Sequence, residues 1–371
     1  MLNESQCILR DSVGRYLSDN YDHQRRRAAQ SDEGWPQQLM RGFAENIGIL
    51  GLPFPPELGG LDCGPVDTMV VMEALGGALV AEPYLSTVVA AGTILKDVDT
   101  AAARNAISAI IDATAVIAIA FSQDGAAGDF SNVKAIARSN GDGYFLSGNN
   151  IVTRGGPYAT HLLVGTCMGV DGRCALFYVP ADAPGLTRVN YSLIDGDRAC
   201  DLTLDKVAVP ADALLTSDAA PLIAKANDAT RAAICAESVG IMRRLLADTV
   251  EYTRQRLQFG KPLSEFQVLQ HRMAAMHVEI ELAASMALMV ALELESTPPQ
   301  RSKAAAAAMA RIGRAGRFVA ENAVQLHGAI GTTDELALGQ YFKRILAIDL
   351  LFGSPDMHVS RYVESCVDHA N

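Results

Sequence analysis

The chain lacks an ordered pattern of cysteines, an excess of positive charge and a long apolar run. Its seven cysteines are scattered, and none forms a Cys-x-x-Cys pair or a Cys/His cluster, which argues against a disulfide framework and a metal site. A net charge of −11 leaves no basic stripe for a nucleic-acid backbone. No apolar run reaches the ~20 residues that cross a bilayer, and no apolar signal segment opens the chain. We therefore expect a cytoplasmic protein without a membrane span.

The composition is that of a folded globular protein. Apolar residues make up 49% of the 371 residues and charged residues 20%, which allows a large core. The periodicity of the apolar residues changes twice along the chain. It predicts an α+β protein of three domains: a helical domain at 1–115, a β-barrel or β-sandwich at 116–217, and a four-helix bundle at 218–371.

The elements of the first two domains are predicted from contrasting periods. Helical periodicity marks 68–80 and 101–111. Short β-prone runs bounded by Gly, Asn, Asp and Pro clusters then predict strands. They cover 116–121, 132–138, 143–146, 161–165, 175–179 and 202–209.

The third domain is predicted as four long helices with short connections. Gly260 and Pro262 are expected to end the first helix, and Pro298 and Pro299 the second. The four predicted helices cover 230–258, 265–296, 301–326 and 335–352.

Two strings in this domain have the chemistry of a phosphate site. Arg256-Leu-Gln-Phe-Gly260 combines a guanidinium, which can donate two parallel hydrogen bonds to phosphate oxygens, with a tight glycine turn. A local explanation, in which a cation and a glycine simply complete a helix C-terminus, accounts for Arg256 and Gly260 but not for the whole string. Gln325-Leu-His-Gly-Ala-Ile-Gly331 adds a glycine-rich turn of the kind that approaches phosphates.

The chain resembles the acyl-CoA dehydrogenase family over nearly its whole length. The resemblance rests on these two strings, on the order of the domains and on the segment Leu50-Gly-Leu-Pro-Phe-Pro-Pro-Glu-Leu-Gly-Gly60. Within the family the chain most resembles the small-subunit branch typified by pimeloyl-CoA dehydrogenase. The resemblance implies an FAD-dependent enzyme that oxidises an acyl-CoA thioester to a trans-2-enoyl-CoA.

The resemblance also implies a set of FAD-binding residues. Arg256 and its neighbours would bind the pyrophosphate and adenine side of an FAD held mostly by another subunit. Ser122 and Thr153 would contact the flavin from the β-domain, where Val152 replaces the usual aromatic and the motifs match poorly. The set is Arg256, Gln258, Phe259, Leu263, Phe266, Gln267, Gln325, Leu326, Gly328, Ala329, Ser122 and Thr153.

The segment Asn227-Asp-Ala-Thr-Arg231 resembles the family's substrate motif, Asp-x-Thr-Arg. The resemblance implies that Asp228 hydrogen-bonds the pantetheine amide and that Arg231 lies beside the reacting atoms, with a substrate-binding and catalytic role. Asp228 also has a local explanation, because Asp is a favoured N-cap residue at a helix start.

The family's catalytic glutamate has no direct counterpart. The two positions that the family uses correspond to Phe352 and Thr230, and neither is acidic. Glu237, two helical turns beyond Thr230 on the same face, is the predicted base, because burial can raise the pKa of a carboxyl group toward the working pH. The alternative is an ion pair with Arg244 or another residue of the bundle. More distant candidates for the base are Asp356 and His358.

Two functions therefore remain open at this point. The chain is a working dehydrogenase subunit, with Glu237 or a partner-supplied carboxylate as base, or it is a catalytically silent subunit that completes the FAD site of a partner acyl-CoA dehydrogenase. The expected partners are an acyl-CoA, an electron-transfer flavoprotein or similar acceptor, and further subunits in a homotetramer or an α2β2 assembly.

Overall fold

The computed structural model describes residues 2–22, 24–26, 37–121, 133–169, 172–333 and 336–367. Ser122, one of the predicted flavin contacts, lies outside the described residues. Helices precede a β-sheet, and long helices follow it, so the predicted fold class is confirmed.

Besides a short helical stretch at 24–26, the described residues form ten α-helices and ten strands, with a π-helical segment, Leu85–Ala91, leading into α4. The helices are α1 Glu4–Asn20, α2 Gln37–Glu45, α3 Pro65–Ala78, α4 Gly92–Leu95, α5 Ala101–Ile111, α6 Ala220–Gln255, α7 Gln267–Glu293, α8 Pro298–His327, α9 Leu338–Phe352 and α10 Pro355–Val367. The strands are β1 Ile117–Ala120, β2 Ile136–Ser139, β3 Gly143–Arg154, β4 His161–Met168, β5 Arg173–Pro180, β6 Leu186–Ser192, β7 Arg198–Pro210, β8 Leu214–Thr216, β9 Leu257–Gln258 and β10 Lys261–Pro262.

The chain divides into two compact units. We call Met1–Arg26, Pro65–Val80 and Arg231–Asn371 the helical unit, and Arg27–Gly64 and Ala81–Thr230 the sheet unit. The three-domain boundaries at 115 and 217 stay a prediction, because each compact unit combines segments that are separate in the sequence.

The sheet unit is built on one eight-stranded sheet. Its strand order is β6-β7-β3-β2-β4-β5-β8, and β1 pairs in parallel with β4. Apolar side chains on one face form its core, including Leu162, Val164 and Phe177 from β4 and β5. β6, which the sequence did not predict, is mostly exposed, and an exposed strand lacks the apolar alternation on which such predictions depend.

The helical unit is organised around α8, against which α7, α9 and α10 pack. Small residues allow this close approach: Ala305 and Ala308 are fully buried, and a Cβ on Gly316 would meet Ile345 of α9 at 3.2 Å. Pro298 and Pro299 open α8 rather than merely ending the helix before it, because proline is tolerated in a first helical turn.

Two helix predictions in this region need correction. The long helix α6 begins at Ala220, ten positions before the predicted start at 230, with Pro221 accommodated in its first turn. A further helix, α10, follows the predicted four, so Asp356 lies in its first turn, and the hydroxyl of Ser354 accepts the hydrogen bond of the Met357 N–H at 3.3 Å.

Among the described residues, one helix, α7, is long and apolar enough to cross a membrane, judged by length and composition alone. Its buried residues, among them Met276, Ile280 and Ala283, lie within the helical unit, where α7 packs against α3 and α8. The apolar character of α7 is therefore accounted for in part by packing in a bundle. The expected cytoplasmic location stays a prediction.

Candidate active site

The predicted substrate motif lies well inside α6 and not at its start. Asp228 is 2% exposed and stands more than two turns after Ala220, which removes its explanation as an N-cap. The side-chain oxygens Asn227 Oδ1 and Thr230 Oγ1 are buried and make no hydrogen bond within the described part of the chain. Buried polar groups are rarely left unsatisfied in a structural helix, so this turn has the properties of a ligand site.

Glu237 forms a buried ion pair with Arg344 of α9. Arg344 Nε donates to Oε1 at 2.6 Å and Nη2 donates to Oε2 at 3.0 Å, so both carboxylate oxygens are engaged. The two side chains are only 10% and 8% exposed. Arg244, the partner considered from the sequence, instead pairs with Asp248 at 2.9 Å near the surface. The geometry therefore supports the ion-pair interpretation of Glu237, with Arg344 as the partner.

The helix that carries Glu237 lies unusually close to α3. A Cβ on Gly76 would approach the Glu237 carbonyl oxygen to 2.2 Å, and a Cβ on Gly240 would approach the Glu73 carbonyl oxygen to 1.9 Å. Because neither glycine can carry a side chain without a backbone shift, the two helices fix the position of Glu237. Tyr341 of α9 adds a hydrogen bond from its hydroxyl to the Gly77 carbonyl at 2.8 Å.

Phe352, which the resemblance matched to the position of the family's glutamate, is the last residue of α9, and a turn follows it. Phe352 is buried, and Gly353 follows with a φ of +101°. His358 of α10 lies behind this turn, with Nε2 2.9 Å from the Phe352 carbonyl oxygen. Since a carbonyl only accepts, Nε2 carries the proton, and in the neutral ring Nδ1 is an acceptor.

His358 is held in its neutral form by its surroundings. The residue is fully buried, and Nδ1 has no partner among the residues that the structure describes. Burial, reinforced by the charges of Arg231 and Arg361, lowers the pKa of His358 to about 4. A group with such a pKa is a weak proton acceptor at neutral pH, so His358 positions the Phe352 turn in this geometry rather than acting as a base.

The Arg256 string forms an exposed hairpin between α6 and α7. Strands β9 and β10 pair across a turn whose central residues, Phe259 and Gly260, have φ values of +54° and +82°. Two successive positive φ values are the signature of a tight hairpin turn that usually carries Asn-Gly, so Phe259 is strained. Its side chain is 90% exposed, although its ring meets Phe266 edge-on with centroids 6.2 Å apart.

The remaining residues of the hairpin are also open to a ligand. Arg256 and Gln258 are exposed, as is Gln267 at the start of α7. The ammonium group of Lys261 lies 4.4 Å from the centroid of the Phe266 ring, which orients both side chains. Leu263 and Phe266, the other two predicted residues, are half-buried beside them.

The second glycine-rich string lies at the C-terminal end of α8. Gly328 ends the helix with a φ of +67°, and Ala329 lies in the short 3-10 turn that follows, outside the left-handed region. The methyl group that replaces the family's second glycine is therefore accommodated without backbone strain. Gln325 is exposed at this end of the helix, whereas Leu326 is 6% exposed and packs in the core of the helical unit.

The two strings are brought together by a ring contact that the sequence did not predict. Tyr252, one turn before Arg256, stacks on His327, the residue before Gly328, with ring centroids 4.4 Å apart. His327 Nδ1 also bonds the Ala323 carbonyl oxygen at 2.8 Å. Burial lowers the pKa of His327, so the stacked ring is neutral at pH 7. This contact fixes the hairpin against the end of α8.

In the sheet unit, β3 has an irregular register next to Thr153. Val152 has a φ of +53°, a strained value for a β-branched residue, and its N–H donates to Asp201 Oδ1 at 3.0 Å. Tyr191, which donates to the same carboxylate oxygen at 2.7 Å, also accepts from the Val152 N–H at 3.1 Å. Burial and this carboxylate raise the pKa of Tyr191.

The strained turn in β3 presents buried polar groups that fit a flavin. Thr153 Oγ1 and both amide atoms of Asn150 are buried and have no hydrogen-bond partner within the described ranges. A hydroxyl and an amide supply the donor and acceptor groups that the polar edge of a flavin ring requires, so these residues suit FAD. Among the described residues, no group of three or more His, Cys, Asp or Glu side chains could hold a metal ion.

Arg344 is the residue that sequence reasoning missed. Its signal is an arginine on the apolar face of α9, between the buried residues Tyr341 and Ile345. A charge in that position requires an opposite charge nearby. Only the packing of α9 on α6 identifies Glu237 as that charge.

The exposed, strained hairpin beside a glycine-rich helix end in the helical unit, and the orphan polar groups in the sheet unit, are each features that suit a nucleotide cofactor. Two family models match the chain: the acyl-CoA dehydrogenase N-terminal domain over residues 3–109 and the acyl-CoA dehydrogenase C-terminal domain over residues 221–366. The chain belongs to the acyl-CoA dehydrogenase family.

Full-length relatives and solved structures agree with these matches. Acyl-CoA dehydrogenase IpdE2 of Mycobacterium tuberculosis (strain ATCC 25618 / H37Rv) is 29% identical over 365 residues, which cover 98% of this chain and 97% of that protein. The probable acyl-CoA dehydrogenase YngJ of Bacillus subtilis (strain 168) is 26% identical, with 96% of each chain covered. A solved variant of the Tcur3481-Tcur3483 steroid ACAD has a TM-score of 0.88 at 30% identity, with 99% of each chain covered.

The predicted activity and cofactor are thereby confirmed. The protein is an FAD-dependent oxidoreductase that dehydrogenates an acyl-CoA thioester between Cα and Cβ. The alternative of a catalytically silent subunit is not favoured by these relatives, whose names describe dehydrogenases.

Proposed function

We propose that this chain acts as one subunit of an oligomeric acyl-CoA dehydrogenase and that its exposed hairpin, residues 256–266, binds the FAD of a neighbouring subunit. The observation that carries this proposal is Phe259, a large aromatic side chain that is 90% exposed on a strained turn. A strained, exposed aromatic has no folding advantage and suits a contact with another molecule. Arg256 and Gln258 beside it supply phosphate donors.

The hairpin proposal is tested by measuring FAD per chain and oligomeric mass for Phe259→Ala and Arg256→Ala. Both variants should lose FAD while remaining folded, because these side chains contribute little to the fold of their own chain. Leu257→Ala is the matched control, since Leu257 is 61% exposed in the same hairpin and lies outside the predicted set. Full FAD occupancy in both test variants would contradict the proposal.

We propose that the sheet unit holds the chain's own FAD through Thr153 and Asn150. When bound, FAD supplies the hydride acceptor for the hydrogen that leaves Cβ. Thr153 and Asn150 would position the flavin by satisfying polar atoms that have no other partner in the described residues. Thr153→Val removes the hydroxyl at nearly constant volume and should weaken FAD binding without unfolding the chain. Unchanged FAD affinity in that variant would argue against this role.

We propose that Asp228 and Arg231 serve the acyl-CoA. Both are buried on α6, in the turn where Asn227 Oδ1 and Thr230 Oγ1 have no hydrogen-bond partner among the described residues, which supports a ligand at this turn. Asp228 would accept a hydrogen bond from an amide N–H of the pantetheine arm, and Arg231 would stabilise negative charge near the thioester. Asp228→Asn should raise KM for acyl-CoA with a smaller change in kcat. An unchanged KM would remove Asp228 from the substrate site.

We propose that Glu237 positions α6 against α9 and that the α-proton is removed by another carboxylate. The bidentate pair with Arg344 leaves neither oxygen of Glu237 open, and breaking it would leave a buried guanidinium without its counter-charge. The double variant Glu237→Gln with Arg344→Met separates the two roles. If Glu237 only positions α6, the double variant recovers the activity lost in Glu237→Gln. If Glu237 is the base, activity stays low although stability returns.

The assembly we propose is an α2β2 heteromer in which a second acyl-CoA dehydrogenase chain contributes the base. Phe352 and Thr230 stand at the two positions where the family places a carboxylate, and Glu237 is engaged, which supports a shared site. Two structural neighbours are named for two chains, the Tcur3481-Tcur3483 steroid ACAD and the ChsE4-ChsE5 complex from Mycobacterium tuberculosis. A homotetramer with full turnover in the absence of any other chain would contradict the heteromer.

We also propose an electron-transfer flavoprotein as the acceptor, in keeping with the family. One structural neighbour, at 23% identity, is named as the electron transferring flavoprotein of Acidaminococcus fermentans. Reoxidation of the substrate-reduced enzyme should be faster with an electron-transfer flavoprotein than with dissolved oxygen. Equal rates would exclude this acceptor.

A further inference from the structure

Two cysteines of the sheet unit lie directly opposite each other. Cys167 on β4 and Cys174 on β5 are Cα partners in the antiparallel pairing of these strands. Both are free thiols, and both are half-buried. Residues directly opposite in a pair of strands project to the same face of the sheet, so the two thiols are neighbours.

The backbone hydrogen bonds of Cys167 and Cys174 show which kind of cross-strand pair the two residues form. The Cys167 N–H donates to the Ala135 carbonyl at 2.6 Å, on the side of β4 away from β5. The Cys174 carbonyl accepts from the Ala219 N–H at 2.8 Å, on the side of β5 away from β4. Since the N–H and C=O of a strand residue point to the same side, the two cysteines do not exchange backbone hydrogen bonds. They form a non-hydrogen-bonded pair.

A pair of this type is the closest arrangement that an antiparallel sheet provides. Its Cα atoms are about 4.5 Å apart, against about 5.5 Å in a hydrogen-bonded pair. Disulfides span Cα separations of about 4.4 to 6.8 Å, so the strands do not have to move for the sulfurs to join. The cross-strand partners of Cys200, by contrast, are Thr153 and Asn190.

The pair lies on the sheet face opposite to the main core. Ala175 belongs to the core of the sheet unit and Met168 packs against that core; since these are the neighbours of the two cysteines along the strands, the cysteines project the other way. On their face, a Cβ on Gly165 would meet Phe121 at 2.8 Å and Val133 at 3.1 Å. The Cys167 thiol donates to the Val133 carbonyl oxygen at 3.0 Å. Cys167 therefore lies beside Val133 on this face.

We propose that Cys167 and Cys174 form a reversible intramolecular disulfide when the protein meets a low-molecular-weight disulfide. The thiolate of Cys167 attacks one sulfur of the small disulfide, whose other sulfur leaves as a thiolate and takes up a proton. The thiolate of Cys174 then attacks Cys167 Sγ and expels the second small thiol. The two cysteines are oxidised, the small disulfide is reduced to two thiols, and the Val133 carbonyl loses its thiol donor.

The rate of ring closure should depend on pH. Burial raises the pKa of the Cys174 thiol to about 11, so only a small fraction is thiolate at neutral pH and ring closure is slow there. Below that pKa, ring closure should accelerate about tenfold for each unit by which the pH rises, since the thiolate is the nucleophile. Cys200, whose pKa burial raises to about 12, and the fully buried Cys235 should stay unmodified.

The test is peptide mapping of the full chain after incubation with oxidised glutathione at mildly alkaline pH, with free thiols alkylated before digestion. Trypsin cleaves after Arg173, so the two cysteines fall in separate peptides unless a disulfide joins them. We expect the joined peptides in the wild type and their separation after reduction. Cys174→Ser should stop at a glutathione adduct on Cys167, because the second thiol is missing.

Cys63→Ser is the matched control, since Cys63 is also half-buried and its loss should leave the joined peptides unchanged. The far-ultraviolet circular dichroism of each variant verifies that it is folded. Alkylation of both Cys167 and Cys174 in the oxidised wild type would overturn the proposal. A stable glutathione adduct in the wild type, with no joined peptides, would overturn it equally.

Discussion

Two regions of the helical unit differ in whether their polar groups are exposed to solvent or buried. In the hairpin, residues 256–266, and at the nearby end of α8, the polar and aromatic groups are open, as shown by the exposed Arg256, Gln258 and Phe259. In the buried centre, the Glu237 carboxylate and the Nε2 atom of His358 have partners within the chain. There Glu237 pairs with Arg344, and His358 bonds the Phe352 carbonyl.

The difference explains why one region resembles the family and the other departs from it. A side chain that binds a molecule outside its own chain must keep its identity, because nothing in the fold can replace it. A buried charge must be neutralised locally, and once Arg344 does so, Glu237 has a role in stability. Changes in the buried centre should therefore act on folding, and changes in the hairpin on cofactor binding.

The largest expected effect is in the buried centre. Arg344→Met should reduce the free energy of unfolding by about 3–5 kcal/mol, because it leaves the Glu237 carboxylate buried without its counter-charge. Urea denaturation monitored by circular dichroism measures the change. The double variant with Glu237→Gln should recover most of the loss, since both charges are then gone. A single-variant loss below about 1 kcal/mol would show that the pair behaves like a surface ion pair.

The second effect is a loss of stability in acid that depends on His358. The pKa of His358 is lowered in the folded state to about 4, so the unfolded chain binds the proton first as the pH falls. Above the unfolded-state pKa of about 6.5, His358 is neutral in both states and costs no stability. As the pH falls from that value to the folded-state pKa, the free energy of unfolding should decrease by about 3 kcal/mol. His358→Gln keeps a donor for the Phe352 carbonyl and should lack this component. Identical pH profiles for the two proteins would refute the assignment.

The third effect concerns Gly353, in the turn between Phe352 and His358. Gly353 has a φ of +101°, and a Cβ there would approach the Met357 side chain to 1.7 Å. Gly353→Ala should cost about 1–3 kcal/mol of folding free energy, from backbone strain and displacement of Met357. Thermal unfolding measures the cost. Gly141→Ala is a useful comparison, because Gly141 has a φ of +98° with nothing within 4 Å of its Cβ position, so that variant isolates the backbone contribution.

The smallest effect should have the opposite sign and occur in the hairpin. Phe259→Asn places a residue that tolerates positive φ at the first central position of the turn and should raise stability by up to about 1 kcal/mol. The same change should lower FAD content. Chemical denaturation of the isolated chain and flavin absorbance of the assembled enzyme give the two values. If Phe259→Asn loses stability and keeps its FAD, Phe259 contributes to folding and not to cofactor binding, contrary to the role proposed for the hairpin.

Much of the fold could be predicted from the sequence, because apolar periodicity survives wherever one face of an element is buried. The helix at 101–111 was predicted at its observed bounds, and the cores of β4, β5 and β7 were found. The start of α6 was missed because Asp228 resembles an N-cap and because Pro221 is compatible with a first helical turn. β6 was missed because its exposed side chains give no alternation.

The candidate site was predictable where it consists of contiguous strings and unpredictable where it depends on long-range pairs. In the Arg256 and Gln325 strings, the residues that suggest a phosphate site are close together in the sequence. The partner of Glu237 lies 107 positions away on another helix, and the Tyr252–His327 stack joins the ends of α6 and α8. The functional roles of these residues stay predictions until the variants above are measured.

The sequence by itself determined the family and the order of helical and sheet regions, and it predicted a set of FAD-binding residues, because periodicity and local motifs depend on near neighbours. Only the tertiary structure decided what the buried polar groups do. It paired Glu237 with Arg344, placed His358 behind Phe352, and set Cys167 opposite Cys174. The physical reason is that the state of a buried charge, ring or thiol depends on the groups brought to it by folding, and sequence spacing does not specify those groups.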